Sequence, residues 1–175
     1  IFFKLQAFFY YFCKNFLLMI QRIQSLFMLL SAIVSGLLFF IPLTIISYGE
    51  GSISLYTYAV KNQVVAGVFG SSFTLPLIIL AALGVIIPVF AMLKYKKRKL
   101  QINMNRINIL VNAVFVLLAI LYYVPKIEGA FDMVNVETVV YVGAVLPVLS
   151  MVFSLLAIRG VKKDIDLLNS VDRLR

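Results

Sequence analysis

FTLPLIILAALGVIIPVFAML, residues 73–93, runs directly into Lys94-Tyr95-Lys96-Lys97-Arg98-Lys99, and this stretch decides the fold class. Its first part is free of charge over the length a helix needs to cross roughly 30 Å of hydrocarbon, about 20 residues at about 1.5 Å each. Its second part is a block of positive charge of the kind that stays cytoplasmic during insertion. Outward from it lie three further stretches without Lys, Arg, Asp or Glu: residues 26–47, 107–124 and 138–158. The span at 107–124 is the shortest and borrows Asn105 and Arg106 at one interface and Tyr122 and Tyr123 at the other. The expectation is an all-α membrane protein, a four transmembrane helix bundle. Alternating strands of about ten residues are not seen in these stretches, which argues against an outer-membrane barrel.

Composition agrees. The 175 residues are 63% hydrophobic and 13% charged, with a mean hydropathy of +1.05, against about 45–50% and about 25% in soluble domains. So little charge cannot cover a water-facing surface. There is no His, one Cys (Cys13) and seven acidic residues. A His acid/base pair, a His metal site and a disulfide within the chain are therefore excluded.

Fourteen of the sixteen basic residues fall before the first span, between spans two and three, or after span four. The other side has only Lys61 and Lys126. Both termini are thus expected in the cytoplasm. The net charge of +9 does not point to nucleic acid. The cluster Lys94, Lys96, Lys97, Arg98 and Lys99 sits directly between two spans, where it is expected to rest on anionic lipid headgroups.

Three connections carry the remaining patterns. In the first external one, 48–72, Ile53, Leu55, Thr57 and Ala59 alternate with Ser54, Tyr56, Tyr58 and Val60. Lys61-Asn62 then precedes a second β-prone run from Gln63 to Phe69, so a short β-hairpin capping the bundle is expected. The second external connection, 125–136, is polar. The tail, 160–175, continues the fourth helix with Val161, Ile165, Leu168 and Val171 or Asp172 at helical spacing, suited to a membrane surface or a partner. Residues 1–18 are crowded with aromatics, interrupted by Lys4 and Lys14, and begin with Ile. They read as an interfacial helix or as an extension outside a natural product that starts at Met19, with 19–159 the transmembrane domain.

Met19-Ile20-Gln21-Arg22-Ile23-Gln24-Ser25-Leu26 resembles the start of a family of small Bacteroidota membrane proteins, the domain of unknown function 4293. So do Arg98-Lys99-Leu100-Gln101 with Arg106 and Asn108, and Lys162-Lys163-Asp164 with Ser170-Val171-Asp172-Arg173-Leu174-Arg175. The resemblance covers Met19 to Arg175 and departs at residues 1–18. It implies four helices and an inner membrane of a Gram-negative cell, and carries over no activity and no catalytic residue.

The best polar constellation is Gln101, Asn105, Asn108 and Asn112, whose spacings of four, three and four place the amides on one helical stripe. Lipid offers an amide no partner. The stripe is therefore expected to hydrogen-bond between helices; a polar vestibule for a substrate or headgroup is the alternative. Ser31 with Ser35, Ala32 with Gly36, and Ser150 with Ser154 let helices approach closely. Pro42, Pro88 and Pro147 each lie within a span and are expected to kink it. The acidic residues are scattered rather than gathered around a metal or a nucleophile, so no enzyme and no cofactor is expected.

The functional expectation is a non-catalytic accessory or scaffold subunit of a larger inner-membrane complex, of respiratory or secretion type, with membrane lipids and a protein partner. A small transporter or lipid-binding protein is the alternative. Because first and last helices of a bundle are commonly neighbours, Gln21, Arg22 or Gln24 is expected to contact the tail that carries Asp164, Asp166, Asp172 and Arg173.

Overall fold

The computed structural model describes residues 23–48, 51–62, 73–94, 97–130, 138–141 and 143–173. The N-terminal stretch 1–18 and the β-prone run 63–69 lie outside the described residues. Four helical rods and a small sheet make up the rest. Helix α1 is Ile23–Leu37, α2 is Leu75–Leu93, and α3 is Arg98–Leu118; α3 runs through a π-helical turn, Ala119–Tyr123, into α4, Val124–Ala130. The last helix, α5, is Val145–Arg173. The stretches Leu75–Leu93, Arg98–Gly129 and Val145–Asp166 are long and apolar enough to cross a membrane, and α1 is a shorter apolar helix. α1 packs against α2 and α5, and α3 packs against the same two, so the first and last helices are neighbours.

The apolar stretch 26–47 does not fold as one helix. After Leu37 the backbone tightens: Leu38, Phe39 and Phe40 donate to the carbonyls three residues back, as fraying helix ends do. Pro42, which has no N–H, follows, and the β-branched run at Thr44-Ile45-Ile46 enters strand β1, Thr44–Tyr48. Thr57 Oγ1 donates to the Leu38 carbonyl at 2.6 Å, one of the acceptors that the ending helix leaves over. Pro42 therefore lies beyond the helix instead of kinking it.

The sheet is larger than the expected hairpin. Strands β2 (Gly51–Leu55), β3 (Val60–Asn62) and β4 (Thr138–Val140) join β1 in the order β3-β2-β1-β4, all antiparallel. Tyr48 pairs opposite Gly51, and Lys61-Asn62, which precede the second β-prone run, lie inside β3. Thr138–Val140, read as the start of the fourth span, pairs with β1 instead. Gly143 makes that crossing possible: its N–H donates to Leu43 O at 3.1 Å, and a Cβ there would stand 2.5 Å from Pro42 O. Helix α5 then starts at Val145. Pro147 falls in its first turn, where no helical hydrogen bond is lost.

The third rod also outruns its expected end at 124. Pro125 cannot donate to the carbonyl four residues back, and its ring would crowd it. The π turn just before it widens the backbone, with Val124 N–H reaching Ala119 O, and the helix continues to Ala130. Pro88 is buried within α2, which continues around it.

Two apolar cores result. One lies at the sheet end, where Leu43, Ile46, Ile53 and Leu55 from the strands meet Leu77, Ala81, Phe115, Tyr123 and Ile127 from the helices. The other lies at the opposite, basic end and consists of Met28, Ala91, Met92, Ala157 and Val161, with Ile165 of the tail against it.

Candidate functional site

The polar side chains collect between these cores and into the basic end. All four stripe residues are buried: Gln101, Asn105 and Asn108 at 0% exposure and Asn112 at 2%. Asn108, on α3, reaches two other helices at once. Its Nδ2 donates to Ser154 Oγ on α5 at 2.9 Å and lies 3.2 Å from Ser31 Oγ on α1. Ser31 and Ser35, one turn apart, each stand 2.9 Å from Ser150 Oγ, and Ser31 lies 3.2 Å from Ser154 Oγ. The four serines and Asn108 thus form one knot joining three helices. Asn112 extends it, donating from Nδ2 to Asn108 O at 2.9 Å. Gly84 on α2 faces the knot: a Cβ there would meet Ser35 Oγ at 3.5 Å and Asn112 Nδ2 at 3.8 Å, ordinary van der Waals contact. Small side chains bring the backbones together, and their hydroxyls supply the bonds that a lipid environment would not.

Toward the basic end the stripe behaves differently. Asn105 Nδ2 donates to Gln101 O, one turn back on its own helix, at 2.9 Å. Gln101 Nε2 donates across to Ala91 O of α2 at 3.1 Å. These bonds use the amide nitrogens and leave the oxygens: Gln101 Oε1, Asn105 Oδ1 and, on α1, Gln24 Oε1 are the buried side-chain polar atoms without a hydrogen-bond partner among the described residues. An unpaired buried acceptor costs about 1–3 kcal/mol.

The residues expected to fasten the termini are placed as follows. Gln21 and Arg22 lie outside the described residues, as do the side chains of Asp172 and Arg173. Gln24 is buried against α5 at the first residue of the tail, short of the segment from Asp164 onward: a Cβ on Gly160 would stand 3.1 Å from its Cβ. The tail's contact with α3 comes from Arg98, whose guanidinium donates to the Asp164 carbonyl at 3.1 Å. Asp166 is exposed. In the basic cluster, Lys94 Nζ stands 5.5 Å over the Phe90 ring, Lys97 and Lys99 are exposed, and Lys96 lies outside the described residues.

Sequence reasoning took the serine pairs as close-packing positions, not as the partners of Asn108. Helical spacing marks a face but not which helix it meets. Among the described residues no group of three or more His, Cys, Asp or Glu is placed to hold a metal ion.

A family model described as Domain of unknown function (DUF4293) matches residues 20–174. The chain belongs to this family. The match takes in all four helical rods, the sheet, the serine–asparagine knot and the amide oxygens at the basic end. No curated protein and no solved structure matches the chain.

Proposed function

We propose that this DUF4293 member is a non-catalytic, multi-pass inner-membrane protein that serves as an accessory or scaffold subunit of a larger membrane complex, with both termini in the cytoplasm. The observation that carries this reading is the Asn108 amide, bonded to Ser31 and Ser154 on two other helices. The centre of the polar stripe is spent on holding helices together, which suits a rigid membrane platform. The charge distribution supports the orientation, because the basic end holds Lys94, Lys97, Arg98 and Lys99 while the sheet end holds Lys61 and Lys126. On this reading the basic cluster rests on anionic headgroups, and the end of α5, with Lys162, Lys163 and Asp166 exposed, presents itself to a protein partner.

The test is purification of the full chain from its native membrane in mild detergent, with identification of co-purifying proteins. A defined set of membrane partners at fixed stoichiometry is expected. A solitary protein would overturn the subunit reading. The second reading, a small transporter or lipid-binding protein, is favoured by Gln101 Oε1 and Asn105 Oδ1, acceptors that find no donor among the described residues; it predicts a specific small molecule or lipid retained by that solitary protein.

A further inference from the structure

The lysines of the sheet end stand among aromatic rings. Lys61 Nζ lies 4.6 Å from the centroid of Tyr56 and 5.4 Å from that of Tyr58, and these two rings are 5.6 Å apart. Lys126 Nζ lies 2.9 Å from the Tyr122 hydroxyl, 4.9 Å from that ring and 5.4 Å from Phe73. The two groups share one level: Thr74 Oγ1 donates to Tyr58 O at 2.9 Å, and Tyr123 Oη donates to Phe73 O at 2.7 Å. Together they form a rim of ammonium groups and rings around the sheet end.

Below the rim the surface is apolar to a measured depth. On α2 the exposed side chains run from Leu75 through Ile79, Leu83 and Ile86 to Phe90 before Lys94 is reached, about 28 Å at the helical rise. On α3 the interval from exposed Arg106 to Tyr122 is about 24 Å. Both heights approach the roughly 30 Å of a bilayer's hydrocarbon. Among the described residues β3 and β4 are the edge strands of the sheet, and a backbone edge of this kind favours the polar layer over hydrocarbon.

We propose that the rim docks in the phospholipid headgroup layer on the sheet side, Lys61 and Lys126 against lipid phosphates and Tyr58, Tyr122 and Phe73 at the acyl boundary. The four-stranded sheet then lies on the bilayer as a seated lid and does not project as a free domain. Amphipathic rings and lysines with apolar stems are the side chains that favour this layer. The inference rests on the membrane reading above and adds the depth and the lipid contact of the sheet.

The chain has no Trp, so single tryptophans report depth without background. The full chain carrying Tyr58→Trp, Tyr122→Trp or Val114→Trp, each at an exposed position, is reconstituted in vesicles whose lipids carry bromine at different depths. Val114→Trp is expected to be quenched most by deep bromines, and Tyr58→Trp and Tyr122→Trp most by the shallowest. Adding Lys61→Glu to Tyr58→Trp in anionic vesicles is expected to shift emission to longer wavelength and reduce shallow quenching. If the two rim tryptophans are quenched by aqueous iodide and by no bromolipid while Val114→Trp still reads deep, the seated lid is overturned and the membrane reading stands. If Val114→Trp is also untouched by bromolipid, both fall. An unchanged signal on Lys61→Glu overturns the phosphate contact.

Discussion

The two ends of the bundle solve the same problem with different materials. At the sheet end, large side chains interlock with strands whose backbone groups pair with one another, and Gly143 closes the junction at a distance no other residue allows. At the basic end the core is built from two methionines, two alanines and a valine, with buried amide oxygens beside it that find no donor among the described residues. Methionine is the more adaptable filler and specifies a unique packing less strongly than branched and aromatic groups. The contrast teaches how packing is specified: the sheet end and the serine–asparagine knot fix it with branched, aromatic and hydrogen-bonded groups, and the basic end with small and unbranched ones.

The largest expected effect is at the sheet end. Gly143→Ala would press a methyl group against Pro42 O and Leu43 Cα, both backbone atoms. It should lower stability by about 1–3 kcal/mol, as overpacking does, measured by unfolding in detergent. A neutral result would mean that β1 and the start of α5 are not clamped, and the contrast between the ends would collapse.

Next is the knot. Asn108→Leu removes bonds to two helices and should cost about 1–2 kcal/mol. At the basic end, by contrast, Asn105→Leu removes an amide whose oxygen has no partner among the described residues and whose nitrogen donates to its own helix. It should be neutral or stabilise by up to about 1 kcal/mol. If Asn105→Leu instead destabilises as much as Asn108→Leu, its oxygen has a partner in the native protein, which would favour the ligand-binding reading. The pair of variants, unfolded side by side, decides the matter.

Much of this contrast was open to reading in advance, and the rest was not, for definite physical reasons. Residues 75–93 are helical almost to the bounds expected from their apolarity. The stripe from Gln101 to Asn112 lies on one buried face, as its spacing requires. Residues 44–47 and 138–140 were read as membrane helix and fold as strands, because Thr, Val and Ile satisfy a hydropathy criterion as well in a buried strand as in a span. What separates the two outcomes is the local punctuation, Pro42 and Gly143, combined with a partner strand nearly a hundred residues away. The serines escaped recognition as bonding partners because they lie on α1 and α5, and periodicity along one helix carries no information about its neighbours.

The smallest expected effect concerns the rim. Lys61 is held above the ordinary lysine pKa, chiefly by its hydrogen bond with Tyr58 and also by the charge of that group. A raised folded-state pKa contributes stability below the unfolded value, and this is lost as pH rises through the folded one. Tyr58→Phe should therefore return Lys61 toward its usual value, read by NMR of labelled lysines. Its small cost in stability should be present at neutral pH and vanish at strongly alkaline pH. An unmoved titration would mean that the Lys61–Tyr58 bond does not persist in solution.

The π turn has a consequence for rotational phase. Along the third rod the buried positions are 101, 105, 108, 112, 115 and 119, and an unbroken helix would next turn 122 and 126 inward. The extra residue in the widened turn delays the count by one, so Tyr123 and Ile127 enter the core while Tyr122 and Lys126 swing outward. Removing one residue from Ala119–Tyr123 would straighten the turn and leave the residues now numbered Tyr123 and Ile127 at the inward positions of an unbroken helix, so the core face would be kept. The same residues wound without the widened turn would instead point Lys126 inward; the π geometry sets which side of the rod is wet, and places a lysine at the rim.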